Sequence, residues 1–272
     1  MVSIVSAMKD LVKVLDSMRK DQTGIILGYE WHEKSRSKLD KTIIASHLTR
    51  KVIATAIQSK TCFIVTIYPP SCIQSFGDSI DKTKMEILKS LIDNKIAVYS
   101  LGSEWLYSED GGFNYFLQMI DFPYAKALKI NISKHAKQLQ GIPYCIGERD
   151  KKIAFKDLIG VLHELIGEEV TYLGYNQANI QKMAIFTEIK NKGIISEITR
   201  NKNIDGIITG DISYDALLTA QTYKIPLVIL ERRNIENIIL GKIRRILMED
   251  VSKDLLDLKI IKQEKIGNTF SK

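Results

Sequence analysis

Histidine and cysteine, the side chains that most often bind transition metals or act as nucleophiles, are scarce in this chain. Its 272 residues include four His and three Cys. No two of the histidines are two or four residues apart: His32, His47, His135 and His163. The cysteines form no Cys-x-x-Cys pair: Cys62, Cys72 and Cys145. Neither a zinc cluster nor a disulfide framework is indicated. A reducing compartment is therefore expected, the cytoplasm first and the nucleus as an alternative.

Two polar patterns late in the chain could nevertheless do chemistry. Arg232 and Glu236 are four residues apart, a spacing that allows an ion pair across one helical turn. Thr209, Gly210 and Asp211 follow an apolar run, so they are expected at a turn between a strand and a helix. Asp211 could there cap the helix or contact a ligand.

The overall charge is mildly basic, with a net charge of +7 and a pI of about 9.1. The lysines are scattered along the chain, whereas a dedicated nucleic-acid binder usually clusters its positive charge. No run approaches the roughly 20 apolar residues that span a bilayer, and residues 1–20 do not resemble a signal peptide. The sequence therefore predicts a soluble protein with no membrane partner.

The elements that must position these residues alternate between strands and helices. Helices are predicted at 4–19, 50–59, 81–94, 113–120, 155–166, 190–201, 213–222 and 234–249. Strands are predicted at 24–28, 42–48, 62–66, 96–100, 182–187, 205–211 and 225–230. Such alternation is typical of α/β proteins with mainly parallel sheets.

Two domains are expected, over residues 1–125 and 126–272. The boundary is placed within 123–152, where 147–152 (GERDKK) is taken as a hydrophilic bridge. The last strand and helix could also pack back on the first domain. The polar tail, 262–272, is expected to be mobile.

Five segments in register resemble the Nif-three-like family, whose members are often labelled GTP cyclohydrolase 1 type 2 homologues. The segments are 21–28 (DQTGIILG), 56–66, 96–100 (IAVYS), 111–114 (GGFN) and 208–211 (ITGD) with Tyr214. The resemblance covers 1–125 and 180–248 well and 126–180 poorly. It implies two α/β domains that face each other across a cleft, a dinuclear metal site between them, and a toroidal homohexamer.

The metal ligands that the resemblance implies are mostly absent from this chain. The family's His-His-Pro falls on Ile67, Tyr68 and Pro69, and its next His and Asp fall on Gly102 and Leu106. Its late His falls on Arg232, whereas its Glu is retained as Glu236. Ile, Leu and Gly offer no donor atom, arginine is cationic, and tyrosine must first lose a proton. No metal or other cofactor is therefore expected.

The side chains that remain near the implied cleft define the candidate ligand site. They are His47, which replaces a strand-end Asp of the family, with Thr66, Tyr68, Glu104, Asp211, Arg232 and Glu236. One interpretation is that Tyr68 and an Arg232–Glu236 pair fill a site that has lost its function. The other is that Arg232, Arg233 and Tyr68 bind a phosphate or a nucleotide base. No catalytic residue can be assigned.

Three functions are consistent with these residues. The first is a non-catalytic binding or scaffold protein, the reading that the missing ligands favour. The second is a nucleotide-directed hydrolase whose site is altered or independent of metal. The third is a ring that binds nucleic acid, which the net charge and the implied homohexamer support weakly.

Overall fold

The structure is a computed structural model. It describes residues 12, 13, 16, 25–28, 41–70, 82–130, 142–168, 170–174, 178–201, 203–250 and 257–264. The predicted helix at 4–19 lies mostly outside these residues, although Val12, Lys13 and Asp16 are helical. His32 and His135 also lie outside them. The chain divides into two units, of which the second runs from Tyr107 to Glu236.

The first unit is built on a five-stranded sheet with the order β1-β4-β3-β2-β11. Only the edge strand β1 is antiparallel to its neighbour within this sheet. The strands are β1 (Ile25–Leu27), β2 (Lys41–Ala45), β3 (Phe63–Thr66), β4 (Ala97–Ser100) and β11 (Asp257–Ile261). The helices are α1 (Arg50–Gln58), α2 (Lys82–Asp93), a 3-10 helix (Ser103–Tyr107) and α7 (Arg232–Asp250), which belongs to this unit from Asn237.

The core of this unit is formed around strands that are buried along their whole length. β3 and β4 are buried at every residue, so each appears in the sequence as a short continuous apolar run. α1 begins where the Thr49 side chain accepts a hydrogen bond from the Val52 amide at 3.2 Å. Val52, Ile53 and Ala56 form its buried face, which packs with residues of β2, β3 and β4.

The second unit is built on a six-stranded sheet with the order β5-β6-β8-β9-β10-β7. The central pairs β8–β9 and β9–β10 are parallel, whereas the outer pairs are antiparallel. The strands are β5 (Tyr124–Ile130), β6 (Ile142–Ala154), β7 (Thr171–Leu173), β8 (Asn179–Ile189), β9 (Gly206–Ile212) and β10 (Leu227–Ile229). The helices are α3 (Gly112–Met119), α4 (Phe155–Ile166), α5 (Lys192–Asn201), α6 (Tyr214–Thr222) and the start of α7.

The predicted fold class is confirmed, because each unit combines a sheet with helices, and the first sheet is mainly parallel. The second sheet is mixed, because β5, β6 and β7 pair antiparallel with their neighbours. None of these three strands was predicted. The expected bridge at 147–152 is wrong, because those residues belong to β6. There Arg149 forms an ion pair with Asp121 at 2.6 Å and lies over the Phe122 ring.

The division between the units falls after Leu106 rather than within 123–152. β5 and β6 pair from Tyr124 opposite Glu148 to Ile130 opposite Ile142, so a boundary there would separate two hydrogen-bonded strands. None of the described helices has both the length and the apolar composition that crossing a membrane requires.

Candidate functional site

The candidate residues form one group in each unit. In the first unit, the end of β3 holds Thr66, Ile67 and Tyr68 between two neighbouring segments. Thr66 Oγ1 donates to the Tyr68 carbonyl at 2.9 Å, and the Thr66 carbonyl accepts from the Leu101 amide at 2.9 Å. The Tyr68 amide donates to the Ser46 carbonyl at 3.0 Å. The backbone at this strand end is therefore held from both sides.

His47 and Tyr68 stack on each other, with ring centroids 4.4 Å apart and ring planes inclined by 23°. Gln263 Nε2 donates to His47 Nδ1 and to Ser46 Oγ, both at 2.6 Å. Ser46 Oγ also lies 3.2 Å from His47 Nδ1. Gln263 thus holds the His47 ring in its orientation.

Gln263 was not among the predicted site residues. It is 216 residues from His47 along the chain, and nothing in the sequence links the two. Asn237 holds its backbone by accepting from the Gln263 amide at 2.9 Å and donating to the Gln263 carbonyl at 3.0 Å. Gln263, which was expected to lie in a mobile tail, therefore makes defined contacts.

The remaining predicted positions of the first unit do not extend this group. Ile67 and Leu106 are buried and carry no polar side-chain atom. Gly102 has a φ of 86°, in the left-handed region that favours glycine. Glu104 is exposed on the 3-10 helix.

In the second unit, Thr209, Gly210 and Asp211 lie within β9 rather than in a turn. β9 continues to Ile212 because Asp211 and Ile212 pair with Glu188 and Ile189 of β8. The predicted cap at Asp211 is wrong, since the Ser213 side chain caps α6 by accepting from the Ala216 amide at 3.3 Å. Asp211 is exposed.

Gly210 permits a close approach of backbone to backbone. A Cβ atom at this position would lie 2.6 Å from the Thr187 carbonyl oxygen and 3.3 Å from Arg232 Cβ. Next to it, Thr209 Oγ1 donates to the Asp211 carbonyl at 2.8 Å, and the Thr209 carbonyl accepts from the Leu230 amide at 3.0 Å. The first turn of α7 therefore lies directly against β9.

The ion pair allowed by the spacing of Arg232 and Glu236 is present. Arg232 Nε donates to Glu236 Oε1 at 2.8 Å, and the Glu236 side chain is only 3% exposed. The adjacent Arg233 binds Glu231 and Glu168, the latter at 2.6 Å. Because two carboxylates neutralise Arg233, it is less suited to bind phosphate than the sequence suggested.

Tyr107 and Cys145 extend this group, and neither was predicted. Tyr107 shares a hydrogen bond with the Thr187 side chain. Burial raises the pKa of Tyr107, although the hydrogen bonds to Thr187 and the charge of Arg232 oppose the rise. Burial also raises the pKa of Cys145 to about 12. A thiol in that state is a poor nucleophile at neutral pH.

The side chains at the positions that the resemblance assigns to metal ligands do not fit a pair of divalent ions. They supply one carboxylate, Glu236, and that carboxylate is bound to a guanidinium. Across the described ranges, no group of three or more His, Cys, Asp or Glu could hold a metal ion. His163 is exposed on α4.

Together, the two sheet-centred units with polar side chains at their strand ends define a two-unit α/β protein. A family model described as "Duf34/NIF3 (NGG1p interacting factor 3)" matches residues 1–268. The chain therefore belongs to the Duf34/NIF3 family, and the resemblance drawn from the sequence segments is confirmed.

Solved structures share this fold at low sequence identity. Reduced HcgD from Methanocaldococcus jannaschii is 15% identical, with a TM-score of 0.71 over 93% of this chain and 96% of that one. Staphylococcus aureus protein SA1388 is 14% identical, with a TM-score of 0.69 over 97% of each chain. A Bacillus cereus protein related to NIF3 is 13% identical, with a TM-score of 0.68 over 96% and 98%. No curated protein matches this chain.

Proposed function

We propose that this protein is a metal-independent, non-catalytic member of the Duf34/NIF3 family that acts as a binding or scaffold protein. The observation that carries the proposal is the ion pair between Arg232 and Glu236. Arg232 occupies a position that the resemblance assigns to a metal-binding histidine, and it neutralises the one retained carboxylate. A cation that belongs to the chain thus replaces the charge of a bound metal.

The electrostatic cost of a metal beside this pair supports the proposal. A divalent ion about 4 Å from a guanidinium is repelled by roughly 8 kcal/mol at an effective dielectric constant near 20. Complete zinc sites bind their metal by about 10–16 kcal/mol with several anionic or imidazole ligands. One carboxylate already bound to Arg232 cannot offset such a repulsion.

The first unit supports the same proposal. Ile67 is fully buried, and Tyr68 stacks on His47. His47 is the one imidazole in this group, and its Nδ1 accepts from Gln263. One imidazole beside apolar and aromatic side chains supplies too few ligands for two divalent ions.

Metal analysis of the full chain, purified without chelator, tests the proposal. We expect far less than one zinc, iron or manganese ion per chain, and no heat of binding when Zn²⁺ or Mn²⁺ is titrated at micromolar concentration. The Arg232→His variant serves as a comparison, because it removes the cation and restores one imidazole. Near-stoichiometric metal in the unmodified protein would overturn the proposal.

The same preparation separates the two alternative functions. A rise in melting temperature with nucleotides and Mg²⁺, together with turnover, would favour the hydrolase. Binding of single-stranded DNA or RNA that weakens steeply with salt would favour the nucleic-acid ring. A binding protein without catalysis gives neither result.

The assembly is part of the proposal. A homohexamer in the cytoplasm is implied by the family resemblance. Light scattering of the purified chain measures the mass of the particle, and the mass of a monomer would contradict the assembly without affecting the metal analysis.

A further inference from the structure

An open groove of about 490 Å³ lies in the first unit, at the carboxyl ends of two parallel strands. Residues 45–47 at the end of β2 and residues 261–264 at the end of β11 form two of its sides. Ala45 and Ile261 pair with each other, so both strands end at the same edge of the sheet. The start of α1 forms the third side, with Thr49, Lys51 and Val52.

The lining of this groove carries a net positive charge. Lys51 and Lys262 contribute two ammonium groups against one carboxylate, that of Glu264. The first turn of α1 contains no acidic residue. The Thr49 hydroxyl accepts from the Val52 amide at 3.2 Å, so its own proton can be donated to a ligand. Cations and a hydroxyl donor converge here, which favours an anionic ligand.

The uncharged side of the groove is already held in place. Asn237 fixes the backbone of Gln263, and the Gln263 side chain in turn binds Ser46 and His47. Since these contacts exist before any ligand arrives, binding loses little side-chain entropy on this side. The volume also falls within the range of small-molecule sites.

We propose that this groove binds the phosphate group of a small organic phosphate monoester. Lys51 and Lys262 are the cationic contacts, and Thr49 donates a hydrogen bond. A dianionic phosphate has enough acceptor oxygens for donors on two separate elements, whereas a carboxylate has one charge and two oxygens. This inference goes beyond the proposed function and does not depend on it.

Glu264 acts as an internal competitor in this proposal. Its carboxylate now pairs with Lys51, and the two side chains are 76% and 57% exposed. Exposed ion pairs contribute little to stability, so a phosphate can displace Glu264 at small cost. Removing the charge of Glu264 should therefore tighten binding.

The test is a calorimetric titration of the full chain at low ionic strength, with ribose 5-phosphate and, separately, with ribose. Inorganic phosphate serves as the minimal probe, and its binding is measured by the broadening of its ³¹P resonance. We expect binding of the two phosphates and none of ribose. Lys51→Gln and Lys262→Gln should each weaken binding about tenfold, as loss of a charge-assisted hydrogen bond does. Glu264→Gln should strengthen binding several-fold.

Lys259→Gln is the matched control, because Lys259 is exposed on β11 and does not line the groove. It removes the same charge and should leave the dissociation constant within about twofold of the unmodified value. The proposal is overturned if neither phosphate binds at millimolar concentration, if ribose binds equally well, or if acetate competes as strongly as phosphate. It is also overturned if the groove lysines behave like Lys259. Bound metal would overturn the proposed function and leave this result standing.

Discussion

Replacing Gly210 with alanine should destabilise the second unit, because the added methyl group has no room. The new Cβ would lie 2.6 Å from the Thr187 carbonyl oxygen and 3.3 Å from Arg232 Cβ. The oxygen belongs to the backbone of β8, which pairs with β9 on both sides of this point. Neither strand can turn aside as a flexible side chain could, so the strands must separate by several tenths of an ångström.

The expected cost is the difference between two terms. Overpacking by a methyl group costs about 1–3 kcal/mol, and the upper end applies where the obstacle is backbone. Alanine also lowers the conformational entropy of the unfolded chain, which stabilises the folded state by roughly 0.5–1 kcal/mol. The net expectation is a loss of about 2 kcal/mol. It corresponds to a fall in melting temperature of about 4–8 °C.

Gly160→Ala provides the matched control in the same unit. Gly160 lies within α4, and among the described residues no atom outside the neighbouring backbone of that helix is within 4 Å of the position that its Cβ would take. Alanine in a helix interior is favoured over glycine, so this variant should gain about 0.5–1 kcal/mol. The same chemical change should therefore have opposite effects at the two positions.

The stability of both variants is measured by thermal and urea unfolding, with far-ultraviolet circular dichroism as the signal. If the two units unfold separately, each transition is fitted by itself. The reasoning is refuted if Gly210→Ala is as stable as the unmodified chain, or if both variants shift in the same direction. Either result would mean that β9 does not approach the Thr187 carbonyl as closely as the structure has it.

Three further predictions concern buried polar groups of the second unit. Arg232→Met should cost about 2 kcal/mol, between the values for exposed and buried pairs, and adding Glu236→Gln should recover most of it in a double-mutant cycle of urea unfolding. Tyr144→Phe keeps the stack on Phe186 and removes a buried hydroxyl that has no hydrogen-bond partner within the described part of the chain, so thermal unfolding should show unchanged stability or a gain of up to about 1 kcal/mol. Cys145 should resist iodoacetamide at pH 8 in peptide mapping until the chain unfolds, because its pKa is raised to about 12. Since the unfolded thiol ionises first, its contribution to the free energy of unfolding should fall as pH rises from about 9 to 12.

Two kinds of element could be predicted: strands that are buried on both faces, and helices whose ends are set by neighbouring residues. The apolar runs of β3 and β4 were visible because both faces of these strands are covered. α4 was predicted at its observed bounds, Phe155–Ile166, and it ends at Gly167, whose φ of 70° favours glycine. In these segments the sequence pattern and the observed structure depend on the same neighbouring residues.

The missed strands depend on partners that local patterns do not reveal. β6 is exposed at residues 150–152, so its charged residues resemble a linker when the sequence is considered alone. β7 and β11 are short edge strands, and β11 pairs with β2, which lies near the other end of the chain. An antiparallel or edge strand needs only one covered face, which weakens its apolar signal.

The same distinction applies to the candidate site. The Arg232–Glu236 pair spans one helical turn, so residue spacing was enough to anticipate it. The contact of Gln263 with His47 joins residues 216 positions apart, and that of Tyr107 with Thr187 joins residues 80 apart. Neither contact follows from the order of the residues, because only the completed sheets bring the partners together.

One arrangement of hydrogen bonds occurs in both units, near the ends of β3 and β9. Thr66 and Thr209 are buried near the carboxyl ends of two parallel strands, and each hydroxyl donates to the carbonyl two residues ahead. Each threonine carbonyl also accepts from the amide of a leucine beyond the next strand, Leu101 or Leu230. These bonds involve only backbone groups and threonine. The side chain of Ile67, which follows Thr66, takes no part in these bonds. Under the proposed function, replacement of a metal ligand at a position such as 67 is expected to leave this backbone arrangement intact.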